Sequence, residues 1–351
     1  MSQLLVAQRA LTVPGWAKDA LWRRAQAVPS LDLRFADNKS LVDVATGASL
    51  VTFTRASSGT FVDSAGVLQT AVTNVPRFDH NPTTGESLGL LVEEQRTNLL
   101  LNSGTLSTQS ATVTAVAHTL HFTGTGTITL TGVSTAGPLV GTGTGEANRV
   151  SLTFTPTAGS LTLTVSGTVT NAQLEIGAFR TSYIATTGSA ATRSADVCSI
   201  TGSAFSSWYR QDEGSFYGEF ARSAVDTRFP ATFTVSDNTR QNEIYSVTGQ
   251  NGSAQGQFSV TTGNVSQAYL TVTALTAPAA NKVAGAFKSN DFIVAANGAL
   301  SAADTSGTVP TVDRAYIGLR GDGVASITGT IRRLTFWGQR LPNNVLQRIT
   351  Q

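Results

Sequence analysis

Thr127-Ile128-Thr129-Leu130-Thr131 and Leu161-Thr162-Leu163-Thr164-Val165, preceded by Thr112-Val113-Thr114, alternate apolar and hydroxyl side chains with a period of two. Successive side chains on a strand point to opposite faces, so this alternation makes one buried face and one wet face. Such faces belong to antiparallel sheets stacked as a sandwich. The interleaved threonines also break up the apolar edges through which sheets aggregate. The pattern extends outward: Leu31, Leu33 and Phe35 alternate with Asp32 and Arg34, and Val51, Phe53 and Phe61 stand among threonines. Asp63-Ser64-Ala65-Gly66 and Asn81-Pro82-Thr83-Thr84-Gly85 mark turns between short strands.

Composition agrees. The chain has 351 residues, suited to two or three domains, with 40% hydrophobic and only 13% charged residues. About 50 threonines favour strands over helix interiors, and 33 glycines supply turns. The expected fold class is all-β: antiparallel β-sandwich or jelly-roll modules in tandem, with a short N-terminal helix. Twenty-four Lys and Arg against 22 Asp and Glu leave a formal charge of +2, no footprint for nucleic-acid binding. No run approaches the roughly 20 apolar residues that span a bilayer. Leu4 to Ala7 is too short an apolar run for a signal peptide, and Arg9 interrupts it, so assembly in a cytoplasm is expected.

Four segments are expected. Residues 1–28 read as a helical anchor that Pro14 starts and Pro29 ends, with Trp16, Trp22, Arg23 and Arg24 as candidate partner-binding residues. Packing of both tryptophans on the chain's own first sheet is the equal alternative. Residues 29–186 form a first β module, and 187–204, rich in Thr, Ser, Ala and Gly, read as a linker. Residues 205–351 form a second sandwich, with strands near Ser215–Phe220, Thr232–Val235, Glu243–Val247, Gly256–Val260, Ala268–Val272, Lys282–Lys288, Asp291–Ala295, Ala315–Gly318 and Thr330–Trp337. Asn297-Gly298 signals a tight turn, and residues 341–349 a final short helix with Asn343 or Asn344 near its cap.

Chemistry-bearing motifs are few. His118 and His121, three apart on a strand, point to opposite faces and cannot share a metal; His80 sits beside Asp79 in a turn. Cys198 is the single cysteine, which excludes an intramolecular disulfide. Glu93 and Glu94 diverge on a strand, and no nucleophile, phosphate-loop or zinc motif occurs, so no enzyme, cofactor or metal is expected. Asp304, Asp313 and Asp322 in late loops offer only a weak calcium possibility. The scarce aromatic residues suit sugar faces: Trp208, Tyr209, Tyr316 and Trp337 are the candidate glycan-binding residues. Trp208 and Tyr209, flanked by Ser and Arg, are expected to be exposed, whereas core packing is favoured for Trp337. Arg55, Arg77 and Arg96 alternate with Asp63, Asp79, Glu93 and Glu94 in an otherwise charge-poor chain. That density suggests a buried or interfacial ion-pair network, with solvated turn charges as the alternative.

One contiguous stretch is familiar: Phe53-Thr-Arg-Ala-Ser-Ser-Gly-Thr-Phe-Val-Asp-Ser-Ala-Gly-Val-Leu-Gln-Thr-Ala, then Asn74-Val-Pro-Arg-Phe-Asp-His-Asn-Pro and on to Leu100. It resembles the phage head spike fibre family of tailed phages and gene transfer agents. Ala172-Gln-Leu-Glu-Ile-Gly-Ala-Phe-Arg-Thr-Ser-Tyr-Ile, followed by Thr192-Arg-Ser-Ala-Asp-Val, looks like the closing strand of a carbohydrate-binding-type jelly roll. Residues 205–351 resemble a concanavalin A-like (laminin-G-like) module. Residues 103–170 depart from the family pattern, being shorter and lacking its tryptophans. The resemblance implies a virion surface spike or fibre that attaches to host surface polysaccharide. The implied partners are further copies of itself (a trimer first, a pentamer second) and a capsid or neighbouring spike protein. A purely structural head or collar decoration protein, or a polysaccharide-degrading tail spike, are the alternatives.

Overall fold

A computed structural model describes residues 15–222, 231–248, 255–275, 279–323 and 327–351. Antiparallel strands dominate it, and the few helices are short. Two large sheets face each other. One, of eight strands, runs from Ala299–Leu300 through Asp291–Ala296, Asn281–Lys288, Glu213–Arg222 and Gly329–Trp337 to Ser87–Val92 and Phe78–His80, with Leu31–Leu33 also paired to Gly329–Trp337. The other, of seven, runs from Thr52–Thr54 through Val197–Thr201, Arg314–Ile317, Ala231–Ser236, Glu243–Thr248 and Gln255–Thr262 to Val265–Thr273. Their inner faces supply one core that includes Leu33, Phe53, Val92, Ile200, Phe216, Phe258, Phe287 and Phe336. A Cβ on Gly285 would lie 2.1 Å from the Phe258 ring, so glycine lets that ring seat against the opposite sheet.

The large sandwich is therefore built from both ends of the chain, and the smaller sandwich is inserted into it. Arg96–Asn98 pairs antiparallel with Ala191–Arg193, in register Asn98 to Ala191 and Arg96 to Arg193. Between the two arms of this stem, residues 99–190 form sheets of four and three strands around Leu120, Phe122, Ile128, Leu130, Leu161, Leu163 and Leu174. The alternation at 127–131 and 161–165 is realised here: Ile128 pairs with Val165 and Leu130 with Leu163, all inward or nearly so, while Thr129 and Thr131 face out. Insertion succeeds when the inserted unit's ends lie close together, and the stem meets that condition.

This corrects the segment boundaries expected from sequence. The stretch 187–204 is no linker: Val197–Thr201 is an interior strand between Thr52–Thr54 and Arg314–Ile317, with Cys198 and Ile200 buried in the core. Residues 29–186 are not one module either, because 31–92 complete the sandwich of 205–351.

The N-terminal segment is also more deeply integrated than an anchor would be. Asp19 caps the helix Ala20–Ala25 by accepting from the N–H groups of Leu21 and Trp22. Trp22 is only 7% exposed and packs on the outer face of the eight-stranded sheet with Leu21, Ala25 and the helix Asn343–Ile349. Small residues on that face, Ala284, Ala286 and Ala295, leave room for both helices. The indole Nε1–H donates to Asp32 at 2.9 Å, and fully buried Asp32 also accepts from Arg34, Arg333 and Thr335. Trp22 is thus a core residue; Arg23 and Arg24 are exposed, and the Trp16 side chain lies outside the described residues. The final helix begins at Asn343, directly after Pro342 in the cap position. Trp22→Ala is expected to lower unfolding free energy by about 3–5 kcal/mol, because it opens a large cavity and strips a donor from buried Asp32. Urea unfolding of the full chain measures this.

Candidate functional site

The proposed aromatic platform is not on the surface. Trp208 and Tyr209 are 4% and 8% exposed, and Trp337 is fully buried. The short helix Gly202–Ser206 turns both rings inward, where Tyr209 stacks 4.7 Å from Phe205 and Trp208 meets Phe336 edge-on at 5.1 Å. Their expected exposure is corrected: neighbouring Ser and Arg reach solvent while the rings fill the inter-sheet core. Trp337 packs under the two helices and donates to the Ala27 carbonyl at 3.2 Å. Tyr316 is nearly buried as well, its hydroxyl donating to Asn238 at 2.6 Å.

The charged cluster, by contrast, is buried, and it sits where the two sandwiches meet. Arg77 forms the centre: Nη1 lies 2.7 Å from Glu93 and Nη2 2.5 Å from Asp196. Asp196 also receives Arg55 at 3.1 Å, and Arg193 stands 3.4 Å from Glu93. Ser182, in the inserted sandwich, donates its N–H to Glu93 at 2.7 Å and its hydroxyl at 2.6 Å. Burial pushes the Glu93 carboxyl up, but Arg193, Arg77 and the Ser182 donors outweigh it and hold it at about 2. Arg96 pairs with Glu94 and reaches Glu175 at 4.0 Å. Gly177 makes room for this guanidinium, since a Cβ there would stand 1.7 Å from Arg96 Nη1.

Two of the expected members differ. Asp63 sits in an exposed turn, accepting from Ala65, Val67 and Gln69, and takes no part in the buried network, because turn chemistry already satisfies it. Asp79 lies at the edge of the network and accepts from the Val62 N–H at 2.7 Å. Burial raises its carboxyl to about 6, with the Glu93 charge adding to the effect and the Val62 bond opposing it. Arg193 and Asp196, which sequence density around 55–96 did not reveal, arrive from more than 90 positions later.

In front of this network lies a cleft of about 460 Å³ whose walls come from both sandwiches. The large sandwich contributes Phe61, Asp79, His80, Asn81, Arg222 and Thr330; the inserted one contributes Glu146, Arg149, Arg180, Thr181, Ser182 and Tyr183. Glu146 and Arg149 form a two-pronged pair at 2.6 and 2.7 Å. Arg149 further donates to His121 Nδ1 at 2.8 Å, which fixes that imidazole's proton on Nε2, 3.3 Å from Glu175. Burial lowers the His121 pKa, in keeping with a neutral ring. Between residues 101 and 180 the sequence holds four charged residues, Glu146, Arg149, Glu175 and Arg180. All four gather around this junction, a scarcity signal through which sequence reading could have found them.

Asp304, Asp313 and Asp322 do not converge on a calcium site. Each is occupied locally, Asp304 by Ser306, Asp313 by Arg314 and Asp322 by Arg240. Among the described residues no group of three or more His, Cys, Asp or Glu could hold a metal ion.

No protein-family model and no curated protein sequence matches the chain. Among solved structures it is similar to the Ruminococcus gnavus IT-sialidase CBM40, at 17% identity and a TM-score of 0.36, covering 40% of this chain and 84% of that one. It is similar also to a native heptameric SAP-like pentraxin from Limulus polyphemus, at 12% identity and a TM-score of 0.32, over 40% of this chain and 70% of that one. Likenesses this faint carry no weight for function.

Two outcomes follow from the junction. Arg77→Met, which strands Glu93 and Asp196 without their shared cation, is expected to cost about 3–5 kcal/mol in urea unfolding. For Asp79, a folded pKa near 6 against an ordinary 3.8 means that its contribution to stability is present on the acid side and lost as pH rises from about 4 through 6. Asp79→Asn is expected to flatten that part of the profile of melting temperature against pH.

Proposed function

We propose that this chain is a spike or fibre component on the surface of a virion, of tailed-phage or gene-transfer-agent type, that binds host surface polysaccharide. The observation that carries the binding half is the cleft between the sandwiches. It is walled by both modules, lined by polar groups together with the Phe61 and Tyr183 rings, and backed by buried ion pairs that fix its geometry. A mixed lining of this size suits a sugar, whose C–H faces lie against rings while hydroxyls meet hydrogen-bonding groups. The spike half rests on the resemblance carried by residues 53–100. In this reading several copies act together, with threefold symmetry the first choice and fivefold the second, so that modest single-site affinities add up. Exposed Arg23 and Arg24, rather than Trp22, are the residues offered to a particle partner.

Binding without turnover is the preferred reading because most carboxylates at the cleft are already committed. Glu93 is engaged by Ser182 and Arg77, and Glu146 is clamped by Arg149. One observation favours a second reading, polysaccharide cleavage: the Asp79 and Glu93 pKa values are pushed apart, to about 6 and about 2, as an acid and a permanently ionised partner require.

The test is adsorption of the purified, oligomeric protein to host cells with and without their surface polysaccharide. Attachment that disappears with the polysaccharide supports the reading, and equal attachment in both cases overturns it in favour of a structural decoration role. Release of new reducing ends from the same polysaccharide, abolished in Asp79→Asn, would establish cleavage instead.

A further inference from the structure

The seven-stranded sheet ends at Val265–Thr273, nine residues long, with Gln255–Thr262 on one side and, among the described residues, no strand on the other. An edge strand offers unpaired main-chain N–H and C=O groups, and proteins guard such edges with proline, charge or brevity. The other edges of the two large sheets are guarded in these ways. Ala299–Leu300 has two residues, Phe78–His80 has three between Pro76 and Pro82, and Thr52–Thr54 has three and runs into Arg55. In the inserted sandwich the end strands have two to five residues, save Val169–Ile176, which carries Glu175 and takes a bond from the Leu99 N–H. Val265–Thr273 has none of these guards. Residues 244–281 contain no Asp, Glu, Lys or Arg, and the strand contains no proline. Val265 and Tyr269 on it are 60% and 53% exposed.

The first part of this edge is already closed by the chain itself. The Thr308 N–H donates to Gln267 Oε1 at 3.0 Å, and a Cβ on Gly307 would lie 2.9 Å from the Gln267 carbonyl oxygen. Beyond that point the edge is open. Among the described residues, the main-chain groups of Leu270, Thr271, Val272 and Thr273 bond only within the ladder to Gln255–Thr262. Side chains alternate here: Tyr269, Thr271 and Thr273 face outward, while Leu270 and Val272 join the large core. They form its rim, still slightly exposed where Phe258 and Val260 on the neighbouring strand are fully buried.

We propose that this edge pairs with the same edge of a second copy, antiparallel and two-fold symmetric about Thr271, so that two seven-stranded sheets join into one. Residues equally spaced on either side of the centre share a face, so a two-fold pairing centred on one residue keeps every side chain on its own side. Leu270 then lies opposite Val272 of the second copy, which closes the apolar rim of both cores. On the outer face Tyr269 lies opposite Thr273 of the second copy, and Thr271 meets its own counterpart. An isologous contact sets each strand against itself, so charges near its centre would oppose like with like. The absence of charge from residues 244–281 removes that obstacle and makes a second copy the occupant that the edge suits. Such pairing requires neither a polysaccharide nor a particle, and it stands apart from the proposed function.

The experiment is the molar mass of the full-length protein by light scattering, followed through a dilution series. It compares the unaltered chain, Thr271→Lys, Thr271→Glu and an equimolar mixture of the two variants. The unaltered chain is expected to contain an even number of copies: two, or twice the number in any cyclic ring that it also forms. Each variant sets like charges opposite one another across the two-fold and is expected to halve that mass. The Thr271 side chain is half-buried on the outer face, so both variants keep their fold, checked by an unchanged far-ultraviolet circular dichroism spectrum. The mixture opposes Lys to Glu and is expected to restore the full mass. Should either variant lose its spectrum, the double variant Tyr269→Lys with Thr273→Lys, at two exposed positions, sets like charges across the same contact and is expected to halve the mass in its place. An odd number of copies in the unaltered chain throughout the series, or variants of undiminished mass, overturns the pairing. Halved masses that the mixture fails to restore overturn the placement of Thr271 on the two-fold.

Discussion

Arg77 is a fully buried cation shared by two buried carboxylates, Glu93 and Asp196, and the rest of the molecule is arranged around that arrangement. A charge taken out of water is tolerable only when its partners are close and their remaining lone pairs are filled. Here they are. Asp196 also accepts from the Glu93 N–H at 2.8 Å and from Arg55, while Glu93 takes two bonds from Ser182. Arg77 gives a further bond to the Thr60 carbonyl at 2.9 Å. These partners come from four separate stretches of chain, including the loop after the last strand of the inserted sandwich. The network therefore sets how the small sandwich sits on the large one, a constraint that apolar packing, being non-directional, supplies less sharply.

The same logic governs the stem. A two-stranded ribbon such as Arg96–Asn98 with Ala191–Arg193 is marginal by itself. It is held because its side chains are spent on both neighbours: Arg193 faces Glu93, Arg96 faces Glu94 and Glu175, and fully buried Asn98 donates to the carbonyls of Ala172 and Ile184 while accepting from the Leu100 and Leu174 N–H groups. The insertion point is thus the most polar part of the interior, and the two apolar cores lie on either side of it.

How much of this was legible in the sequence depends on whether the signal was local. Alternation at 127–131 and 161–165 revealed the inserted sandwich, because period two is a property of the strand itself. The strands of the large sandwich after residue 205 were legible for the same reason, and all nine expected ones coincide with observed strands. What failed was inference from composition. Residues 187–204 look like a linker because Ser, Thr and Ala are small, yet Cys198 and Ile200 already alternate with Val197, Ser199 and Thr201 as an interior strand requires. Trp208 and Tyr209 were misread through their polar neighbours, whereas a tight helix before them decides where the rings go. The density of Arg and acid between 55 and 96 coincides with buried ion pairs at Arg55, Arg77 and Glu93, while Asp63 stays in an exposed turn. It could not supply Arg193 and Asp196, whose proximity depends on the insertion closing back on itself.

That closure also accounts for the position of the cleft. Binding is tighter when groups that meet the ligand are held in place beforehand, since their ordering is not charged against association. The buried ion pairs lie directly behind the wall, so Ser182 and Thr181 are fixed by Glu93 and Glu175 before any ligand arrives. Arg149 is fixed by Glu146 and His121, and it in turn orients Arg180 through its carbonyl. Each of these links is made within the protein, so the wall is set by the chain itself. The sequence of contacts ends at Arg180, an exposed side chain in the cleft wall. The buried network that seats one sandwich on the other therefore also sets the wall of the cleft, its polar groups satisfied by the protein at the inner end and open to solvent at the outer end.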